Sequence, residues 1–323
     1  MAQSYVRNHI VTKAYLRGFC DNDGRIGVWN RTGKRFAASP NSVGYRKWFF
    51  GDDEALRAEV EQKLSAVEHR LPGIRDDMIA GRFPQHSTPD RGLLLEFLAI
   101  HVVRNPAWRR LIEDLVERQI VVRGHDAREW EAFREVIRSD RYRVGTMLRQ
   151  IHEIASILGS LHWTPIRVPE KWLCTCDQPV VVFPRLQEGA RARVDQQTAL
   201  LDTVEFRFVL DPQHALIMSW LDAPEDHRWR DVSLAVAADL NRSVMGRADA
   251  DVFHYLGLKP PTVAPPFLPT NECRSIASAL HLGYSMDAAA TSERRARTAK
   301  IVLRMIEEQG PPRIETVTAL PTT

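Results

Sequence analysis

Apolar positions along the chain change period several times, and each change marks a predicted element. From Asp52 onward Leu56, Val60, Leu64, Val67 and Leu71 recur every three or four residues, which predicts a long helical stretch behind a pair of aspartates suited to a helix N-terminus. The same period predicts helices over 90–103, 106–122, 126–138 and 140–161; the last gathers Val144, Met147, Leu148, Ile151, Ile154, Ala155 and Leu158 on one face. Asn105-Pro106 should separate the first two of these, because proline disfavours the α conformation of the residue before it.

Elsewhere the pattern is that of strands. Ile26, Val28 and Phe36 sit in short runs around the turn-forming Asn30 to Gly33, which predicts a hairpin. After Trp163, VVVFP, VEFRFVL and ALIMSW form further apolar runs, the last two flanking the turn Asp211-Pro212-Gln213-His214. A helix resumes over Val232 to Arg247. GLKPPTVAPPFLPT, with five prolines in 14 residues, is too stiff and donor-poor for a helix or central strand. The fold expected is α+β: a predominantly helical domain over 1–256 with a small antiparallel sheet made by the hairpin and the strands after Trp163. A linker follows at 257–271, then a C-terminal helical appendage at 272–310 and a disordered tail at 311–323.

Composition narrows this picture only a little. With 323 residues, a substantial core can be buried, and a net charge of +3 permits a phosphate-bearing partner or nucleic acid without demanding one. No apolar run approaches the length needed to cross a bilayer, so a cytoplasmic protein without membrane association is expected. Four cysteines, Cys20, Cys174, Cys176 and Cys273, are too few and too irregular for a disulfide framework or a four-ligand zinc site, and no metal ligand set is assigned. GxGxxG, P-loop and Gly-x-Ser-x-Gly motifs are missing, which removes the simplest support for dinucleotide, NTPase and serine-hydrolase chemistry.

Candidate chemistry rests on individual residues. In NHIVTKAYLRGF, His9 and Lys13 stand among apolar neighbours, so the segment is either a docked N-terminus or one wall of a site. Phe97, His101 and Arg104 fall on one stripe of a helix that is apolar almost all round. A guanidinium there must meet an anion, and Asp177 in CTCDQPVVVF is the candidate partner. Asn241 shares a stripe with Leu234, Ala237, Ala238 and Met245, which directs its amide inward to orient a ligand or to tie down backbone. In RADADVFH the spacing of Arg247 and His254 matches that of helical HEPN-type ribonucleases, a match that chance also supplies.

Taken together, NHIVTKAYLRGF, VWNRTGKRFAASPNSVGYRKWFF, LLLEFLAIHVVRNPAWRR and WLCTCDQPVVVF resemble successive blocks of the bacterial domain-of-unknown-function 4238 family over about residues 8–256. The chain departs from that pattern at Thr12, where the family has proline, and at Cys176, where it has serine. The resemblance implies no activity. Two functions are therefore carried forward. One is an enzyme, hydrolase or nuclease-like, acting on a phosphate-bearing or nucleic-acid substrate. In it His9, His101, Arg104 and Asp177 are catalytic, Lys13, Tyr15 and Asn241 bind ligand, and the cofactor is undefined. The other is a non-catalytic binding protein whose His/Arg/Asp network is structural and whose C-terminal helix recruits a protein partner.

Overall fold

The computed structural model describes residues 7–106, 108–109, 127–184, 204–219 and 227–257. In chain order these form β1 (Arg7–His9), α1 (Lys13–Leu16), the hairpin β2 (Ile26–Asn30) and β3 (Arg35–Ala38), β4 (Tyr45–Lys47), α2 (Glu54–Glu68), α3 (Leu71–Ile79) and α4 (Pro89–Val103). There follow α5 (Ala127–Arg138), α6 (Asp140–Ser160), β5 (His162–Arg167), β6 (Cys174–Cys176), β7 (Val180–Pro184), β8 (Val204–Val209), β9 (His214–Ser219), β10 (Arg230–Asp231), α7 (Leu234–Arg247) and β11 (Asp251–His254).

The helix boundaries follow local chemistry. Asp53 accepts from the Leu56 amide at the start of α2, Thr88 caps α4 ahead of Pro89, and Ser139 accepts from the Tyr142 amide at the start of α6. Helix α4 ends at Val103 with Arg104 as its C-cap, where the following Asn105-Pro106 requires a break. Thr12 accepts from the Tyr15 amide and so caps α1.

The expectation of a mainly helical domain with one small sheet is overturned, because the strands among the described residues form three sheets of two, five and four strands. Among the described residues β1 pairs only with β4; the five-stranded sheet runs β10-β5-β9-β8-β7, and the four-stranded one β3-β2-β11-β6. The predicted hairpin and the β8–β9 turn are both present. They belong to different sheets, because β11 pairs with β2 on one side and β6 on the other and so fills out the hairpin's sheet. The HEPN-like spacing fails for the same reason, since Arg247 closes helix α7 whereas His254 lies on strand β11. Gly27 makes that pairing possible: a Cβ there would stand 2.3 Å from Cε1 of His254.

One apolar cluster runs through all of these layers, with Tyr15, Phe97, Leu158, Trp163, Phe208, Leu240 and Phe253 among its members. α4 packs on α6, and α7 packs on β6 and β7. The helix expected at 106–122 lies mostly outside the described residues, as do the linker (apart from Gly257), the C-terminal appendage and the tail.

Candidate functional site

The N-terminal segment is docked. Amides of Ile10 and Val11 both donate to the Gly44 carbonyl, and Ile10, Val11, Tyr15, Leu16 and Phe19 are buried. The Tyr15 hydroxyl donates to the Val209 carbonyl at 2.5 Å and lies 2.8 Å from Oγ1 of Thr175, which can donate to it in turn. Tyr15 thus links α1 to both larger sheets. Asn241 is likewise occupied, with Oδ1 accepting from the Cys174 amide (2.9 Å) and Nδ2 donating to the Trp172 carbonyl (2.8 Å). Of the two roles open to Asn241, these bonds supply the tying of backbone.

Arg104 and Asp177 have different partners from the one the sequence suggested. Arg104, only 1% exposed, donates to Oε1 of Glu68 at 2.6 Å and lies over the Phe50 ring. Asp177 accepts the backbone amides of Asp249, Ala250 and Asp251 and an NH2 of Arg46 at 3.1 Å. Burial, then Asp249, push Asp177 up to about 7 against the pull of Arg46 and the amides of Asp249 and Ala250. Its carboxylate pins the loop before β11. Glu68 and Arg46 were missed in the sequence, although Arg57, Val60, Leu64 and Glu68 lie at i, i+3, i+7 and i+11, which places Glu68 on the inward stripe of α2.

The two histidines are held neutral by burial. His101 is enclosed by Phe97 and Tyr15, its Nδ1 lies 2.9 Å from the Phe97 carbonyl, and its Nε2 has no partner among the described residues. Burial lowers its pKa to about 3, with Arg104 adding to the effect. His9 lies on β1 opposite Tyr45, its ring 6.0 Å from the tyrosine ring, and its buried Nε2 also has no partner among the described residues. Desolvation first, and then the positive charges of Lys13, Arg104 and Arg7, together lower His9 to about 4.

The structure therefore brings Lys13, Arg104 and Arg7 within electrostatic reach of His9 and gives Asp177 to a separate network around Arg46 and Asp249. Among the described residues no group of His, Cys, Asp and Glu could hold a metal ion. Cys174 and Cys176 are buried thiols raised by desolvation, Cys174 to about 12.

Fold and site together define a class: an α+β protein whose docked N-terminal strand carries a histidine, with no partner for its Nε2 among the described residues, near the charges of Lys13, Arg104 and Arg7. The chain belongs to the family described as protein of unknown function (DUF4238), whose model matches residues 7–255. No curated protein and no solved structure gives a significant match. No helix among the described residues is long and apolar enough to cross a membrane.

Proposed function

We propose that the corner formed by β1, β4 and the start of α1 binds a phosphate-bearing ligand, and that His9 is the proton-transferring group of an enzyme acting on it. The observation that carries this reading is the buried Nε2 of His9, without a partner among the described residues and near the charges of Lys13, Arg104 and Arg7. Lys13 and Arg7 are exposed, so an anion can reach them from solvent. An imidazole in cationic surroundings is a weak base. A phosphate dianion would offset those charges, which add to the larger effect of burial, and raise the basicity of His9, so that the ligand itself would bring His9 into use. The bonds of Tyr15, Asn241 and Asp177 support structural roles for those three.

The test is the titration of the His9 ring by NMR, assigned through its loss in His9→Gln, with and without inorganic phosphate. The pKa should rise when phosphate binds, and Lys13→Ala should weaken the binding. A His9 titration indifferent to phosphate would refute the reading. A cytoplasmic setting accompanies this proposal, supported by the free thiols of Cys20, Cys174 and Cys176.

A further inference from the structure

Beside the His9 corner the chain holds one large aromatic side chain in an unusual way. Trp48 directly follows β4 and has φ 56°, a left-handed conformation that a bulky L-residue adopts only at a cost. Its side chain is nevertheless 48% exposed, so packing of the indole does not explain the conformation.

The surrounding turn enforces it. The Gly51 amide donates to the Trp48 carbonyl, Arg109 donates to the Phe49 carbonyl (2.7 Å), Arg57 donates to the Gly51 carbonyl (2.7 Å), and Oδ1 of Asn8 lies 3.4 Å from the Phe50 amide. Two arginines and an asparagine thus clamp a strained turn whose visible product is a projecting indole. Strain that is overdetermined in this way is a recurrent property of functional sites.

The flanking chemistry identifies what the indole would take. The β1–β4 ladder pairs Arg7 with Lys47 and His9 with Tyr45, so Trp48 follows the basic end of the ladder. It lies three residues along the chain from Tyr45, or about 10 Å at the rise of a strand. That span is comparable with the reach of a nucleotide from its phosphate to the far edge of its base. The Arg57 guanidinium lies 5.0 Å from the centre of the indole ring and covers part of it. Arg7 and Lys47 are exposed on the paired strands β1 and β4, with the Arg7 guanidinium over the Tyr45 ring. Asp52 and Asp53 follow on the other side of the turn, where Asp53 is occupied in capping α2.

We propose that Trp48 is a stacking plate for a nucleobase whose phosphate sits at the His9 corner. This rests on the phosphate reading above and narrows its substrate class to nucleotides or single-stranded nucleic acid. Aromatic plates beside basic strands take bases without regard to sequence, since every base has a π-face.

The experiment measures binding of inorganic phosphate, adenosine, AMP and a short adenine oligonucleotide to the full chain. It compares the wild type with Trp48→Gly, which suits a positive φ and removes the plate, and Trp48→Phe, which keeps one. Circular dichroism confirms that each variant is folded. AMP should bind at least about fivefold more tightly than inorganic phosphate, the least that one stacked base contributes. That advantage should vanish in Trp48→Gly and persist in Trp48→Phe. Tighter binding of the oligonucleotide than of AMP would assign the site to single-stranded nucleic acid; equal binding would assign it to free nucleotides. Equal binding of AMP and inorganic phosphate would overturn the stacking role and leave the phosphate site standing. Binding of neither, with His9 unmoved, would overturn the phosphate site as well.

Discussion

Acidification should destabilise this protein through His101, and the size of the effect follows from the structure. The ring is completely enclosed, its pKa falls from 6.5 to about 3, and the main cause is loss of hydration. For a base whose folded pKa is depressed, the unfolded state binds protons first. Stability is therefore complete above the unfolded value and is lost as the pH falls through 6.5 towards 3. At about pH 4.5 the unfolded imidazole is almost wholly protonated while the folded one remains neutral, and two pH units of linkage correspond to roughly 2.5 kcal/mol.

His101→Leu isolates this effect, because other titrating groups, including Asp177 with its opposite shift, contribute equally to both proteins. At about pH 7 the variant loses the bond to the Phe97 carbonyl but also removes an unpartnered buried nitrogen, so the two proteins should agree within about 1 kcal/mol. Urea unfolding at about pH 7 and pH 4.5 measures the difference. The wild type should lose roughly 2.5 kcal/mol more than His101→Leu over that interval. Parallel loss in both would show that His101 is protonated at little cost in the folded protein, and the argument from burial would fail.

Three further substitutions probe other parts of the framework. Glu68→Gln leaves the Arg104 guanidinium buried without its carboxylate and should cost about 3 kcal/mol in urea unfolding, more than Arg104→Met, which removes the charge itself. Gly27→Ala pushes a methyl into the His254 ring and should cost about 1–3 kcal/mol; His254→Ala in the same chain should recover most of it, and a double-mutant cycle reads that coupling. Asn241→Ala releases the Cys174 amide and the Trp172 carbonyl. It should lower thermal stability by about 2 kcal/mol without changing phosphate binding; a parallel loss of phosphate binding would place Asn241 in the site after all.

The elements legible in the sequence are those whose pattern is long or whose ends carry a capping residue. Helices α2, α4 and α6 begin behind Asp53, Thr88 and Ser139, and the turn at Asp211 to His214 joins two strands of six residues. Strands β1, β4, β6, β10 and β11 have two to four residues, too few for alternation to register, and their partners lie far away in sequence. Sheet membership could not be inferred locally, and for that reason a helical domain with one small sheet was expected.

The candidate site divides along a similar line. Residue type and stripe position correctly marked Arg104 as a buried charge that must be paired, because that requirement follows from desolvation alone. Which carboxylate pairs with it depends on how α2 lies against α4, and that packing supplies Glu68 in place of the expected Asp177. The same packing that gives Glu68 to Arg104 gives Arg46 to Asp177, so each buried charge is answered within the framework. His9 differs from both. Burial, and then the charges of nearby cations, disfavour its proton, and no described group bonds its buried Nε2. Arg104 and Asp177 each have a counter-charge within the framework, so the Nε2 of His9, near the exposed Lys13 and Arg7, is the point where an anion from solution has most to contribute.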